Sequence, residues 1–350
     1  MLTANKGEWS ELYAFFKILS DKRLYSADES LKLIPESFLK ILSIIRNEGD
    51  EEFFFEIDEK KDEIIIKNKG SSLGVIPIYS ITSKLSTIFC KIKEGSNSRG
   101  SFSVSEAENL MRYLHCSKIK AKASTKNDIT LKIEDPHTGT KPERGFSIKS
   151  KVGGLSTLLN ASAVTNFEYE IIESCNRVKF KPLIKLSELL STGQDLKFVR
   201  IPNTVFHENL SMIDSGMPLI VGEMLKAYYL GLASSLVDLT EYVKQLDPLN
   251  QNHKYFYEHK VQEFLLSSAF GMQPSKPWNG SYETHGGYII VKENGEIACY
   301  HIYDRDRFKK FLFANTKFET PSRTRHGFGS IYKRDGKKCI LLNLQVRFKD

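Results

Sequence analysis

The sequence predicts an α/β protein, with helices and strands interleaved along the chain. Three observations predict it. Apolar residues recur at helical spacing in some segments and alternate with period two in others. Segments of the two kinds follow one another through the first half of the chain, before a mostly helical stretch and a final run of short strands. A hydrophobic content of 41%, with 11% aromatic residues, gives 350 residues enough apolar material for a packed core.

Trp9, Leu12, Tyr13, Phe16 and Leu19 are spaced along one helical face and predict an amphipathic helix over 8–20. A second helix is expected over roughly 35–46. Glu52 to Ile57 and Asp62 to Lys67 read as a strand pair around the charged turn Asp58-Glu59-Lys60-Lys61. A strand at 75–79 leads into a helix with Ile81, Leu85, Ile88, Phe89 and Ile92 inward. The polar run Glu94 to Gly100 is a first candidate boundary. Val104, Ala107, Leu110, Met111 and Leu114 then mark a helix whose start, Ser103-x-x-Glu106, fits a capping box. Two short strands follow, Asp128 to Ile133 and Gly145 to Ser150. Past Val152-Gly153-Gly154, a short helix is expected from Ser156 to about Val164 and a strand from Glu168 to Glu173. Helices are expected at 183–190, in parts of 203–216, over 218–246 with breaks, and over 253–270, where Tyr255, Phe256, Tyr257 and Phe264 read as core. The Pro- and Gly-bearing loop Met272 to Gly287 is the second boundary. Beyond it come a hairpin (Tyr288 to Val291, Ile297 to Tyr303), a short helix near 304–314, and strands at 330–333 and 338–348. The boundaries define an N-terminal α+β module at 1–97, a core with a helical extension at 98–270, and a basic α+β module at 271–350, whether as separate domains or as one body.

The net charge of +7 is unevenly spread. Residues 1–100 hold 15 Lys+Arg against 16 Asp+Glu, whereas residues 321–350 hold eight against two. A basic end of this kind allows nucleic acid as a partner. Five widely spaced cysteines without a C-x-x-C pair fit a reducing cytoplasm rather than a disulfide framework or zinc ribbon. Glu8, Glu11 and Lys17 interrupt any signal-like apolar run, and the apolar segment Pro218 to Leu236 carries Glu223 and Lys226, as a buried helix does. No membrane association is expected. No G-x-x-x-x-G-K-[ST] for ATP occurs, so no ATP or other nucleotide cofactor is expected, and no H-E-x-x-H for zinc is present.

The chemistry is concentrated between Asn127 and Gly154. Asp128 opens one strand, and on the next strand alternation puts Ser147 and Lys149 on the same face. A carboxylate that holds a divalent cation, beside a lysine that orients or deprotonates water and offsets phosphate charge, is an arrangement used by metal-dependent nucleases. Asp128 also suits a local turn bond, and Lys149 an exposed strand position. Lys151 faces the same way as Lys149, so the register could shift by two.

Several stretches together resemble the HpaII family of type II restriction endonucleases, over nearly the whole chain. They are G-E-W-S-E-L-Y-A-F-F-K (Gly7 to Lys17), G-S-F-S-V-S-E (Gly100 to Glu106), K-I-K-A-K (Lys118 to Lys122), D-I-T-L-K-I (Asp128 to Ile133), G-F-S-I-K-S (Gly145 to Ser150), S-T-L-L-N-A (Ser156 to Ala161), E-I-A-C-Y-H-I-Y-D-R (Glu296 to Arg305) and E-T-P-S-R-T-R-H-G-F-G-S-I-Y (Glu319 to Tyr332). The resemblance implies a bacterial, cytoplasmic enzyme that cleaves double-stranded DNA within a short palindrome using Mg2+; the best-known member reads CCGG. It also implies a restriction-endonuclease-like core of the PD-(D/E)xK type, a central mixed sheet flanked by helices, with N- and C-terminal additions. Cutting both strands of a palindrome suggests a homodimer, at least on DNA.

Within that family reading, Asp128 is the first metal ligand and Lys149 the catalytic lysine. Ser147 stands where many such nucleases carry a second carboxylate, and serine brings no charge to a magnesium ion. A relocated acid is therefore expected. Glu106 is the foremost candidate, against its use in a capping box; Glu168, Glu170 and Glu143 are others. Gly153 and Gly154 suit backbone approach to a phosphate, or an ordinary turn. Arg323, Arg325 and His326 lie in a loop of the basic end and suit either guanine readout or phosphate contact. Lys333, Arg334, Lys337 and Lys338 read as backbone contacts or solvated surface, and His301 as a core residue. The missing acid at Ser147 keeps a binding-only protein on a decayed nuclease scaffold in view. A methyltransferase is disfavoured, because no glycine-rich cofactor loop, N-P-P-Y or P-C-Q stretch is present.

Overall fold

Asn5 starts the first helix, α1 (Lys6–Asp21): its side chain accepts from Glu8 N and the Glu8 carboxylate accepts from Asn5 N, both at 3.0 Å. The expected apolar face is buried, and so are Ala14, Phe15 and Ile18, so the helix is covered on most sides. Lys22, at φ 61°, ends it and turns the chain into β1 (Arg23–Ala27) and β2 (Leu33–Glu48). The computed structural model describes all residues except 96–99, 121–126, 136–138, 155, 174–193, 283–285 and 350; the helix expected at 183–190 lies outside the described residues.

The helix expected at 35–46 is strand β2. A register shift between Ile41 and Ser43 against its neighbour inserts a bulge, so the core positions fall at Leu39, Ile41 and Ile44. Spacings of two and then three mimic a helical repeat. Strands β3 (Glu51–Asp58), β4 (Glu63–Asn68) and β5 (Ser71–Pro77) continue as the expected meander, with Asp58 accepting from Lys60 N and Lys61 N in the charged turn. Helix α2 (Tyr79–Glu94) buries the five residues expected of it. Helix α3 (Ser105–Tyr113) buries Ala107, Leu110 and Met111, but Val104 is its N-cap and no side chain caps it; the Ser103–Glu106 capping box does not form. Strands β6 (Ile129–Glu134) and β7 (Glu143–Ser150) lie as the alternation predicts.

The short helix expected after Ser156 is instead β8 (Thr157–Leu159) and a 3-10 turn at Ala163–Thr165. Leu158 and Leu159 are too short an apolar run to separate strand from helix by period, and pairing with a distant strand decides it. Then come β9 (Asn166–Glu173), β10 (Gln194–Arg200), α4 (Thr204–Ile213), α5 (Met217–Tyr229), α6 (Leu236–Leu246), α7 (Phe256–Phe270), the hairpin β11 (Gly287–Val291) and β12 (Ile297–His301), and α8 (Arg305–Asn315). The chain closes with β13 (Thr316–Phe318), a single-turn α9 (Arg323–His326) where a loop was expected, β14 (Ile331–Arg334), β15 (Lys337–Asn343) and β16 (Val346–Phe348). The last two replace the single strand expected at 338–348.

The described chain forms two compact units. Unit 1 is Met1–Ser156 with Glu283–Phe308. Its nine-stranded mixed sheet has the order β1-β12-β11-β7-β6-β2-β3-β4-β5, and a further β1–β2 pairing closes the first six strands into a barrel. The strands come from all three composition-defined segments. Residues of α1, α2 and α3 join the core of this sheet. The β11–β12 pairing requires Gly287, at φ 142°, where an added Cβ would lie 2.0 Å from Tyr300 O. Gly287→Ala is expected to cost about 3 kcal/mol or more, read as a lowered denaturation midpoint or a loss of soluble protein.

Unit 2 is Thr157–Tyr282 with Lys309–Asp350. It holds a four-stranded sheet, β10-β9-β15-β14, and a three-stranded sheet, β13-β16-β8. Helix α5 is buried nearly all round, and the Tyr169 hydroxyl on β9 donates to Gly222 O at 2.7 Å.

Candidate active site

Ile129 pairs with Phe146 in the β6–β7 ladder, so Asp128 stands across from Ser147. Asp128 N donates to Phe146 O at 2.9 Å, and Asp128 Oδ2 accepts from Ile148 N at 2.8 Å. These two bonds fix the carboxylate at the end of the ladder. Lys149 lies two residues past Ser147 on the same face, its Nζ 5.9 Å from the centroid of the Tyr288 ring. Tyr288 stands beside Ser147 in the parallel β7–β11 register. The ladder thus brings Asp128, Ser147 and Lys149 together.

Ser147 is buried and carries no charge. The second carboxylate at this place comes from α1. Glu11 and Asp128 line one pocket together with Phe15, Arg46, Lys120 and Ile129. The Lys120 ammonium is 3.4 Å from Glu11 Oε2 and 3.9 Å from Asp128 Oδ1. Burial raises the Glu11 pKa to about 7, and the charge of Asp128 adds to the rise against the pull of Lys120 and Lys149. Burial, with Asp128 adding to it, also pushes the Tyr288 phenol well up, so the ring beside Lys149 stays neutral.

Two carboxylates at one point supply hard oxygen donors. Mg2+ is commonly held by one or two carboxylates, with water and substrate phosphate oxygens filling its other positions. Among the described residues no group of three or more His, Cys, Asp or Glu is arranged to hold a metal; Glu11 and Asp128 are a pair of hard oxygen donors lining one pocket.

The HpaII restriction endonuclease family matches residues 5–348 of the chain. The type II restriction enzyme HpaII of Haemophilus parainfluenzae is 39% identical over 360 residues, covering 99% of this chain and 98% of that one. The chain belongs to the HpaII family of restriction endonucleases. Membership makes it a site-specific deoxyribonuclease. No solved structure matches it. Among the described residues no helix is long and apolar enough to cross a membrane.

In this HpaII-family chain the other candidate acids stand elsewhere. Glu106 opens α3, where it accepts from Ser105 Oγ at 3.0 Å and its nearby cation is Lys91; it is not among the residues lining the Asp128 pocket. Glu168 is buried in unit 2 between Arg200, at 2.8 Å, and Arg334, at 2.6 Å. Glu170 pairs with Lys337 at 2.9 Å, and that lysine side chain stays 62% exposed. Glu143 begins β7 and is exposed. His301 is buried; its Nδ1 accepts from Tyr303 N, and burial lowers its pKa to about 4, as befits a neutral core residue.

Gly153 has φ +105°, and a Cβ there would meet the Lys6 side chain at 2.9 Å. Lys151 N donates to Val291 O at 2.9 Å, just past the end of β7. In unit 2, α9 is tied down on two sides. Asn166 Nδ2 donates to His326 O at 3.1 Å, and Arg323 Nη2 donates to Gly329 O at 2.6 Å.

Glu11 was the residue the sequence reading passed over, although it lies inside a quoted family stretch. Its signal is local. Glu11, Phe15 and Ile18 fall on one helical stripe, and both apolar members are buried. A carboxylate in such a stripe pays for desolvation and calls for a reason.

Proposed function

We propose that this enzyme is a Mg2+-dependent type II restriction endonuclease that cuts double-stranded DNA at CCGG and leaves a 3′-hydroxyl and a 5′-phosphate. The observation that carries the reading is the meeting of Glu11, Asp128 and Lys149 in a chain of the HpaII family. Glu11 and Asp128 hold the cation, which when bound supplies Lewis-acid stabilisation of the phosphoryl oxygens and a more acidic water. Ile148 N–H orients Asp128 toward that task. The Lys149 ammonium orients the attacking water and offsets charge building on the phosphate. Asp128, Ser147 and Lys149 follow the PD-(D/E)xK pattern with a serine in the second acid's place, and Glu11 supplies the charge whose absence at Ser147 favoured a binding-only protein.

Two copies acting on one palindrome give the simplest route to a double-strand cut, with the protein at work in the bacterial cytoplasm. Lys151 and Gly153, just beyond Lys149, meet the DNA backbone. The test is digestion of unmethylated phage DNA with Mg2+ and with EDTA, the ends mapped by sequencing. Discrete fragments with Mg2+ alone, ending within CCGG, are expected. No cutting with either Mg2+ or Mn2+ would overturn the reading.

Base readout falls to α9. Arg323 and Arg325 are both exposed; Arg323 Nη2 donates to Gly329 O, and Arg325 makes no side-chain hydrogen bond or ion pair among the described residues. His326, whose carbonyl anchors the turn, contacts DNA beside it. Arg325→Ala is expected to weaken binding to a CCGG duplex by about 1–3 kcal/mol and to narrow the gap between matched and mismatched duplexes, as loss of a guanine contact does. Equal weakening on both duplexes, measured by fluorescence anisotropy, would make Arg325 a phosphate contact instead.

A further inference from the structure

Lys120 sits on the two carboxylates that the proposed function gives to the metal. Its position is built rather than incidental. Arg46 and Glu48, both on β2, pair at 2.6 Å and are almost fully buried. Glu48 Oε2 accepts from Ser117 N at 2.9 Å, Ser117 Oγ at 2.8 Å and Lys118 N at 3.0 Å. Arg46 Nη2 donates to the carbonyls of Lys118 and Ile119. Burial alone would raise the Glu48 pKa, but the hydrogen bonds and charge of Arg46, with those of Ser117, hold it below the usual range. The pair therefore stays charged and grips residues 117–119. The next residue is Lys120, and the grip delivers its ammonium to Glu11 and Asp128.

We propose that Lys120 is a resident cation of the active site, which keeps the Glu11–Asp128 pair together before the metal binds and must leave those oxygens when it does. The inference rests on the reading of Glu11 and Asp128 as metal ligands. Two like-charged carboxylates side by side repel, and an ammonium on both offsets that repulsion. A divalent ion needs the same lone pairs and repels the ammonium. The Lys120 side chain is 55% exposed, so its four-carbon stem can swing into water without disturbing the clamp. Lys120 is thus a positioning residue that competes with the metal, and its removal exchanges order in the metal-free site for tighter metal binding.

The test is calorimetric titration of CaCl2, a divalent ion used without turnover, into the metal-free full chain at pH 8 and low salt. Lys120→Met is expected to bind Ca2+ about tenfold more tightly than wild type, while Lys120→Arg, which keeps the charge, stays within about threefold. Glu11→Gln and Asp128→Asn are titrated alongside. If they lose Ca2+ affinity while Lys120→Met equals or falls below wild type, the resident-cation role is overturned and the metal reading stands. If they keep full affinity, the metal reading fails and this inference fails with it.

Discussion

Asp128→Asn is expected to lower the single-turnover cleavage rate by at least about a thousandfold, some 4 kcal/mol of transition-state stabilisation, while leaving binding to a CCGG duplex within about threefold. Asparagine keeps the oxygen that accepts from Ile148 N and removes the charge, so the ladder between β6 and β7 survives and only the metal ligand is lost. The check is rapid-quench cleavage with Mg2+ beside anisotropy binding in Ca2+. Full cleavage by the variant would remove Asp128 from the site. Loss of binding and cleavage together would mark a folding defect, which circular dichroism would show.

Glu11→Gln is expected to lower the same rate by about a hundredfold or more, with Glu106→Gln close to wild type. Glu11 also sets a pH dependence. Burial raises its pKa to about 7 in the metal-free protein, so the wild-type rate at subsaturating Mg2+ should fall as pH drops below 7, when a proton competes with the cation for the carboxylate. The effect on stability runs the other way. Unfolded, Glu11 releases its proton near 4.5; folded, it holds it to about 7. Between those values the folded state binds more protons, so this group's contribution to stability falls as pH rises through the window and its full cost is present above 7. In EDTA, Glu11→Gln should therefore melt about 2 °C or more above wild type at pH 8, with the difference vanishing near pH 4.5. An acid limb unchanged in the variant would place the titrating group elsewhere.

Much of this site was legible because strand alternation is short-ranged. Asp128, Ser147 and Lys149 lie on adjacent strands, and period two alone put Ser147 and Lys149 on one face. The missing charge at Ser147 was equally legible, but its replacement was not. Glu11 is 117 residues from Asp128 in sequence, and only the packing of α1 on the sheet brings them together. Glu106 lies nearer to Asp128 in sequence but does not line its pocket, because sequence separation does not measure distance in a folded chain. The same limit governs the fold. Helix α2 and the β3–β5 meander followed local patterns, whereas the bulge in β2 imitated a helix and β8 took its form from pairing with β16. Barrel closure by β1, β2 and β12 joins strands more than 250 residues apart and leaves no local trace. Arg323 and Arg325 look equivalent as sequence; in the fold Arg323 differs by its bond to Gly329 O.

The most direct test of the central claim is to map the metal on the protein itself. Fe2+ loaded in place of Mg2+ and treated with ascorbate and peroxide cleaves the backbone beside its ligands, and mass spectrometry locates the cuts. Two cuts are expected, next to Glu11 and next to Asp128, both suppressed by excess Mg2+. Cuts near Glu106, or none near Glu11, would contradict that claim.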